Sequence, residues 1–255
     1  MHRIHVQHDE EGPIEIVEEA DGKLRSLQFG SPARQSTMFT ARPHDLALEY
    51  TRSMAASLLF IDAPLRILVL GLGGGSLPKF FLHYFPSCRV DVVELRPAII
   101  DVATRFFCLP IEDDRLQVIE ADGLEFLFES PPACYDVVCI DLHDADGMAP
   151  VVDEEEFVPA CCRVVNPGGV AVFNLWAGDR PAQEARLTSQ LEQAFQPLLR
   201  LPVAGKRNCV AYGLTAAVPA PAVLAQRMMQ GTAWSLPLGT VLTDLRRRYE
   251  HIFSA

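Results

Sequence analysis

Leu65-Arg-Ile-Leu-Val-Leu-Gly-Leu-Gly-Gly-Gly-Ser76 is a short apolar run that breaks off into glycine, and it sets the pattern for most of the chain. Four more apolar runs follow, at Arg89–Leu95, Arg115–Ala121, Tyr135–Leu142 and Gly169–Trp176. Between them, Leu77–Phe85, Ala98–Phe107, Gly123–Phe128 and Glu154–Val164 have helical spacing. Strands that are apolar throughout belong in a parallel sheet covered on both faces. Strict strand–helix alternation predicts an open, doubly wound α/β sheet, Rossmann-like in plan, over residues 61–255.

Outward from that block the pattern changes. Residues 1–60 hold shorter segments, Ile14–Val17 and Leu24–Phe29, separated by Glu11-Gly12-Pro13, Asp21-Gly22 and Gly30-Ser-Pro32. Asp-Gly between two alternating runs is a hairpin signature, because glycine supplies the positive φ of the turn. A small N-terminal antiparallel β domain is expected, followed by a linking helix near residues 44–59. Beyond the fifth run, Leu198–Val203 and Cys209–Leu214 flank Gly205-Lys-Arg-Asn208, a gap suited to a hairpin, so an antiparallel pair should close the sheet. Residues 219–252 read as one or two short helices broken by Pro237-Leu-Gly239.

The 255 residues carry 22 Lys and Arg against 33 Asp and Glu, a formal net charge of −11. With 49% hydrophobic and 22% charged residues the composition is globular and excludes a disordered tail protein. So acidic a chain repels phosphate backbones, which argues against nucleic acid as a partner. The densest basic run, Arg246-Arg247-Arg248, stands beside Asp244 and Glu250 and reads as a solvated helix face. Cys88, Cys108, Cys134, Cys139, Cys161, Cys162 and Cys209 are odd in number and form no Cys-x-x-Cys pair, which argues against a disulfide framework or a zinc ribbon. The N-terminus has no apolar signal-peptide core, and no run approaches the ~20 apolar residues of a membrane span. A soluble, cytoplasmic protein with no membrane partner is the expectation.

In an open α/β sheet, ligands bind beyond the carboxyl ends of the strands. After the first run, Gly71 and Gly73 let the backbone turn tightly and let a ligand approach main-chain N–H groups at the next helix. The loop is not that of a triphosphate-binding protein, and Ser76 stands where a dinucleotide fingerprint has its last glycine. The second run ends in Glu94, about 20 residues further on, where a carboxylate can accept both hydroxyls of a ribose. The third ends in Glu120-Ala-Asp122-Gly123, where a carboxylate followed by glycine can take an adenine amino group. The fourth ends in Asp141-Leu-His-Asp144-Ala-Asp146-Gly147. Acids held together at one pocket repel each other and call for a cation. A polyamine or a sulfonium satisfies that demand; a divalent metal on the Asp and His side chains is the rival reading.

Taken in order, Arg25-Ser-Leu-Gln-Phe-Gly30, Gln35-Ser-Thr-Met38, Leu68–Ser76, Val93-Glu94, Glu120-Ala-Asp-Gly123 and Tyr135–Asp144 resemble the spermidine synthase family of polyamine aminopropyltransferases. The likeness runs from residue 24 to residue 215 and is greatest to a bacterial branch carrying Gly-Leu-Gly-Gly-Gly-Ser. It implies an N-terminal β domain and a Rossmann-like catalytic domain of the methyltransferase type with antiparallel last strands, assembled as a homodimer or homotetramer. It implies decarboxylated S-adenosylmethionine as co-substrate, no prosthetic group and no metal. The aminopropyl group would pass to putrescine or a related amine. Carried over by position, Gln35 contacts the nucleoside, Gly71 and Gly73 form its loop, Glu94 holds the ribose, and Asp122 with Gly123 reads adenine. Asp141 is then the general base, and Asp144 and Tyr50 bind the acceptor. Three places depart from the family: Gly74 stands for a loop aspartate, Tyr50-Thr-Arg52 for Tyr-x-Glu, and Asp141-Leu-His-Asp144 for Asp-Ser-Ser-Asp.

The chemistry is consistent with those roles. An alkyl ammonium has a pKa of ~10.4, so near neutral pH the acceptor needs a carboxylate to take its proton. Two other functions fit the same sheet: methyl transfer from intact S-adenosylmethionine, and a catalytically silent homologue that binds nucleoside or polyamine.

Overall fold

The computed structural model describes residues 2–145, 147–176 and 181–253. Five strands, β1 (His2–Asp9), β2 (Gly12–Glu19), β3 (Leu24–Gln28), β4 (Ser36–Phe39) and β5 (Arg42–Leu46), form an antiparallel sheet in sequence order. The Asp21-Gly22 turn joins β2 to β3 as expected, with Ala20, Asp21 and Gly22 all at positive φ. Ile16 faces Leu27 across that pair, and both are fully buried. The sheet is larger than the sequence suggested. β1 lies at its edge, His2, Arg3, Val6 and His8 exposed and Gln7 and Asp9 bonded to Ala98 and Arg96, and Pro43 hides β5, although an edge strand tolerates a residue without an N–H. The linking helix α1 (Glu49–Ala55) therefore starts after residue 44, and a 3-10 turn, Ala56–Leu59, continues it.

The five apolar runs form β6 (Arg66–Leu70), β7 (Arg89–Glu94), β8 (Leu116–Glu120), β9 (Tyr135–Ile140) and β10 (Val165–Trp176). Between them lie α2 (Ser76–Tyr84), α3 (Pro97–Phe106), α4 (Gly123–Glu129) and α5 (Phe157–Val164). After β10 come α6 (Pro181–Ala194), β11 (Leu198–Pro202), β12 (Asn208–Leu214), α7 (Pro221–Gln230), α8 (Leu238–Arg248) and α9 (Glu250–Phe253). The seven-stranded sheet has the order β11-β12-β10-β9-β6-β7-β8. The expected antiparallel pair is present, but only β12 opposes the rest: it runs antiparallel to both β10 and β11, which restores β11 to the common direction. The sequence reading passed over α6, whose buried Leu187 and Leu191 stand four apart in an otherwise polar stretch. The C-terminal break covers residues 231–237 and ends at Pro237, which caps α8, while Leu238 and Gly239 already belong to that helix.

Successive side chains of β6 go to opposite faces, as the strand period requires. Ile67 and Val69 join a core shared with the N-terminal sheet, α2 and α8; Leu68 and Leu70 join a second core with α5 and α6. β6 pairs in parallel with β7 on one side and β9 on the other, so the chain winds outward in both directions from this strand. Its carboxyl end is the crevice where such a sheet receives a ligand.

Candidate active site

Gly71 leaves β6 at φ +91°, and a Cβ there would stand 2.4 Å from the Asp141 carbonyl oxygen. Only glycine lets the β6 and β9 exits run this close. The Gly71 N–H donates to the Val93 carbonyl at 2.8 Å, and the Asp141 N–H to the Leu70 carbonyl at 2.9 Å. Gly73 turns back at φ +51°, and Gly75 caps α2. The N-terminal sheet closes over this loop: Ser36 Oγ lies 3.2 Å from Ser76 Oγ. Ser36 and the Phe107 ring also occupy the space beside Gly74, where a Cβ would meet them at 2.8 and 2.9 Å. The place of the family's loop aspartate is filled from outside.

Glu94 ends β7, nearly buried. Its Oε2 accepts the Leu72 N–H and its Oε1 the Arg96 N–H, both at 2.9 Å. One carboxylate thus ties the glycine loop to the end of the next strand. Burial raises its pKa, against the pull of those N–H donors. The Gly73 N–H also faces this carboxylate; with about four acceptor sites on a carboxylate, capacity is left for a hydroxyl donor. Leu95, the next residue, is 59% exposed and offers an apolar face at the same rim.

Asp122 caps α4, its Oδ1 accepting the Leu124 and Glu125 N–H groups at 2.8 and 3.1 Å. Gly123 opens that helix, close enough to Leu142 that a Cβ would reach it at 3.8 Å. The third strand end is thereby packed against the loop that follows the fourth.

Asp141 gathers the most partners. Tyr50 reaches it from α1, its hydroxyl within donating distance of Asp141 Oδ2 (3.2 Å) and of the Gln35 carbonyl (3.1 Å). Burial, and after it the Asp141 charge, hold the Tyr50 phenol well above its ordinary pKa. On the other oxygen, Asn174 Nδ2 donates to Asp141 Oδ1 at 2.7 Å, and Asn208 Nδ2 donates to Asn174 Oδ1 at 2.9 Å. His143 Nδ1 stands 3.4 Å from Oδ1. Asp144 turns the loop with Gly147, whose N–H donates to its Oδ1 at 2.9 Å. Asp146 lies outside the described residues. Among those described, no three His, Cys, Asp or Glu side chains cluster as metal ligands would.

Tyr50, Gln35, Asp141, Gly71, Gly73 and Glu94 therefore form one connected group, with Asp122 and Gly123 beside it. Arg52, in the place of the family's glutamate, turns away: its Nε donates to the Leu46 carbonyl and its Nη1 to Glu49. The sequence reading missed Asn174, His143 as an Asp141 neighbour, and Asn208. The available signal was Asn174 itself, a polar residue inside the apolar run Val170–Leu175.

Around one sheet end, then, stand a glycine loop, two acids at successive strand ends and a donor-held aspartate. Residues 48–202 match the Spermine/spermidine synthase domain. The chain belongs to the spermine/spermidine synthase family. The family domain thus takes in Tyr50 and every strand end of the site up to Asn174, and leaves out Gln35 and Asn208. A polyamine aminopropyltransferase of Chromobacterium violaceum is 37% identical over 198 residues, 76% of this chain and 73% of that protein. A probable spermidine synthase from Corynebacterium glutamicum, 21% identical, shares the fold with a TM-score of 0.74 over 88% of this chain and 86% of its own. Human methyltransferase-like protein 13, solved in complex with SAH, is 28% identical, with a TM-score of 0.66 over 74% of this chain and 92% of its own. No described helix is long and apolar enough to cross a membrane.

Proposed function

We propose that the protein is a polyamine aminopropyltransferase, moving the aminopropyl group of decarboxylated S-adenosylmethionine to putrescine or a related amine and releasing spermidine and methylthioadenosine. The observation that carries this reading is the Asp141 carboxylate, held between Tyr50 and Asn174 where β9 meets the glycine loop. Family membership supports the donor and the class of acceptor.

In this reading Glu94 accepts the ribose hydroxyls, Asp122 and Gly123 meet the adenine, and Gln35 with the loop of Gly71 and Gly73 encloses the nucleoside. Asp144 and Tyr50 face the amine. The amine nitrogen attacks the carbon beside the sulfonium. The carbon–sulfur bond breaks with its electron pair going to sulfur, and Asp141 takes the proton from nitrogen. A sulfonium is already a good leaving group, so holding donor and acceptor in line supplies much of the acceleration. No metal and no prosthetic group enters the scheme. Residues 61–255 act as the catalytic domain and 1–60 as the N-terminal β domain with its linking helix, in a cytoplasmic homodimer or homotetramer.

Methyl transfer from intact S-adenosylmethionine is the second reading, favoured by the likeness to methyltransferase-like protein 13. Both chemistries share the nucleoside half of the site, and the product separates them. Pure protein is incubated with each donor and a panel of amines, and the products are weighed by mass spectrometry. Amine-dependent methylthioadenosine supports aminopropyl transfer. S-adenosylhomocysteine alone replaces it with methyl transfer, and neither product leaves a binding module.

A further inference from the structure

Asn174 is buried at 6% exposure in the apolar strand β10, among Val172, Phe173 and Leu175. A buried amide costs stability unless its donors and acceptor are satisfied. Here both ends are: Nδ2 on Asp141 Oδ1 at 2.7 Å, and Oδ1 under Asn208 Nδ2 at 2.9 Å. We propose that Asn174 and Asn208 form a two-amide relay that fixes the Asp141 carboxylate for proton transfer. Asn174 acts directly on Asp141, and among the described residues Asn208 acts through Asn174.

This inference rests on the reading of Asp141 as the base. An ionised carboxylate can only accept, so Asn174 must turn its NH2 toward it. An asparagine amide has nearly the same shape when flipped, and the wrong orientation would set oxygen against oxygen. Asn208 makes the choice by donating to Asn174 Oδ1. With Asn174 on Oδ1 and Tyr50 at Oδ2, the carboxylate cannot rotate about its Cβ–Cγ bond without losing both donors.

The reversed strand makes the relay possible. Asn174 lies opposite Val210, and Trp176 opposite Asn208, so Asn174 and Asn208 are diagonal neighbours on one face of the β10–β12 pair. Because β12 runs against the sheet, its first residue arrives at the end where the parallel strands finish. Both asparagines are therefore positioning residues delivered by topology.

The test is a double-mutant cycle on turnover, using the donor and amine that wild type accepts, with Asp141→Asn as reference and thermal unfolding as a control on folding. Asn174→Leu should lower kcat ~10–100-fold, the scale for losing a hydrogen bond to a charged group, with donor KM within about 2-fold. Asn208→Leu should lower kcat less. The double variant should match Asn174→Leu alone, since among the described residues Asn208 reaches Asp141 through Asn174. Asn208→Asp should be worse than Asn208→Leu, because the new carboxylate draws Asn174 Nδ2 away and turns its oxygen onto Asp141. That excess should vanish in the Asn174→Leu background. Additive losses would overturn the relay, as would full kcat in Asn174→Leu while Asp141→Asn is inactive. Should Asp141→Asn itself stay active, the base assignment falls and the relay with it. Asn174→Ser, smaller and still polar, serves the same cycle if the leucine variant does not fold.

Discussion

Tyr50 Oη stands 3.2 Å from Asp141 Oδ2, across 91 residues of chain, and 3.1 Å from the Gln35 carbonyl. One phenolic proton is shared between a charged acceptor at the end of β9 and a neutral one just before β4. The N-terminal sheet is thus tied to the site through the linking helix α1, and removal of one oxygen atom tests the tie.

Tyr50→Phe should lower kcat about 10-fold, the lower end of the range for a hydrogen bond to a charged group, and leave the affinity for methylthioadenosine unchanged. Asp141→Asn should cost ~10²–10⁴-fold, the usual contribution of general acid–base catalysis. Its deficit should shrink toward pH ~10.4, where the amine loses its proton without help. A pH–rate series on both variants makes the comparison. Near-wild-type turnover of Asp141→Asn at neutral pH would falsify the base assignment.

If Glu94 holds the ribose as proposed, its burial makes nucleoside binding depend on pH. Its raised pKa means that the folded protein takes up this proton earlier than the unfolded chain as pH falls. For this group alone, falling pH therefore favours the folded state, while the protonated carboxyl is a poorer acceptor for ribose hydroxyls. Methylthioadenosine affinity should drop as pH falls, at a pH above that of an ordinary carboxylate. Glu94→Gln should bind ~1–3 kcal/mol more weakly at pH 7 and show no such drop. Calorimetry at three pH values decides it; an unchanged slope in the variant would separate Glu94 from the ribose.

The resemblance expects an aspartate at the place of Gly74, yet introducing that acid should not supply its role. A Cβ at 74 would be 2.9 Å from Phe107 Cδ1 and 2.8 Å from Ser36 Oγ, in a core that cannot open cheaply. Gly74→Asp should lose ~1–3 kcal/mol of stability and gain no turnover with any diamine. Combining it with Phe107→Ala tests whether the ring is the obstacle. Denaturant unfolding alongside amine KM values gives the readout, and a stable, faster Gly74→Asp would contradict the packing.

Lys79 is a buried amine away from the sheet end, its Nζ donating to the Phe107 carbonyl at 2.5 Å. Burial pulls its pKa down to about 7. Between that value and the ordinary ~10.4, the unfolded chain holds a proton that the folded chain has given up. Stability should therefore rise with pH above 7, by at most ~1.4 kcal/mol per unit. In Lys79→Met that rise should be absent. Urea unfolding at pH 7, 8 and 9 measures it, and parallel curves for the two proteins would refute the assignment.

The central sheet was legible in the sequence, because β6, β7, β9 and β10 are predominantly apolar on both faces and four of the five runs, β10 excepted, break off into glycine or acid. Gly71, Glu94, Asp122 and Asp141 were legible for the same reason: their place in the chain, at the end of an apolar run, is their place at the site. Periodicity is a local property, and these features are local. β1, β5 and α6 were not legible, since edge exposure, Pro43 and a sparse apolar stripe blur the period without preventing the structure.

Tertiary structure alone decided the surroundings of Asp141. Tyr50 was named in the sequence, but its contact with Asp141 and the Gln35 carbonyl depends on how α1 docks against the sheet. Asn174 and Asn208 acquire meaning only once β12 runs backward beside β10 and sets Trp176 opposite Asn208. Strand direction and register across 34 residues are chosen by packing of the whole sheet, and no window of sequence contains them. Likewise the space beside Gly74 belongs to Ser36 and Phe107, residues from a different sheet and a different helix end. A glycine in the sequence shows that a side chain is missing; only the folded protein shows what has taken its room.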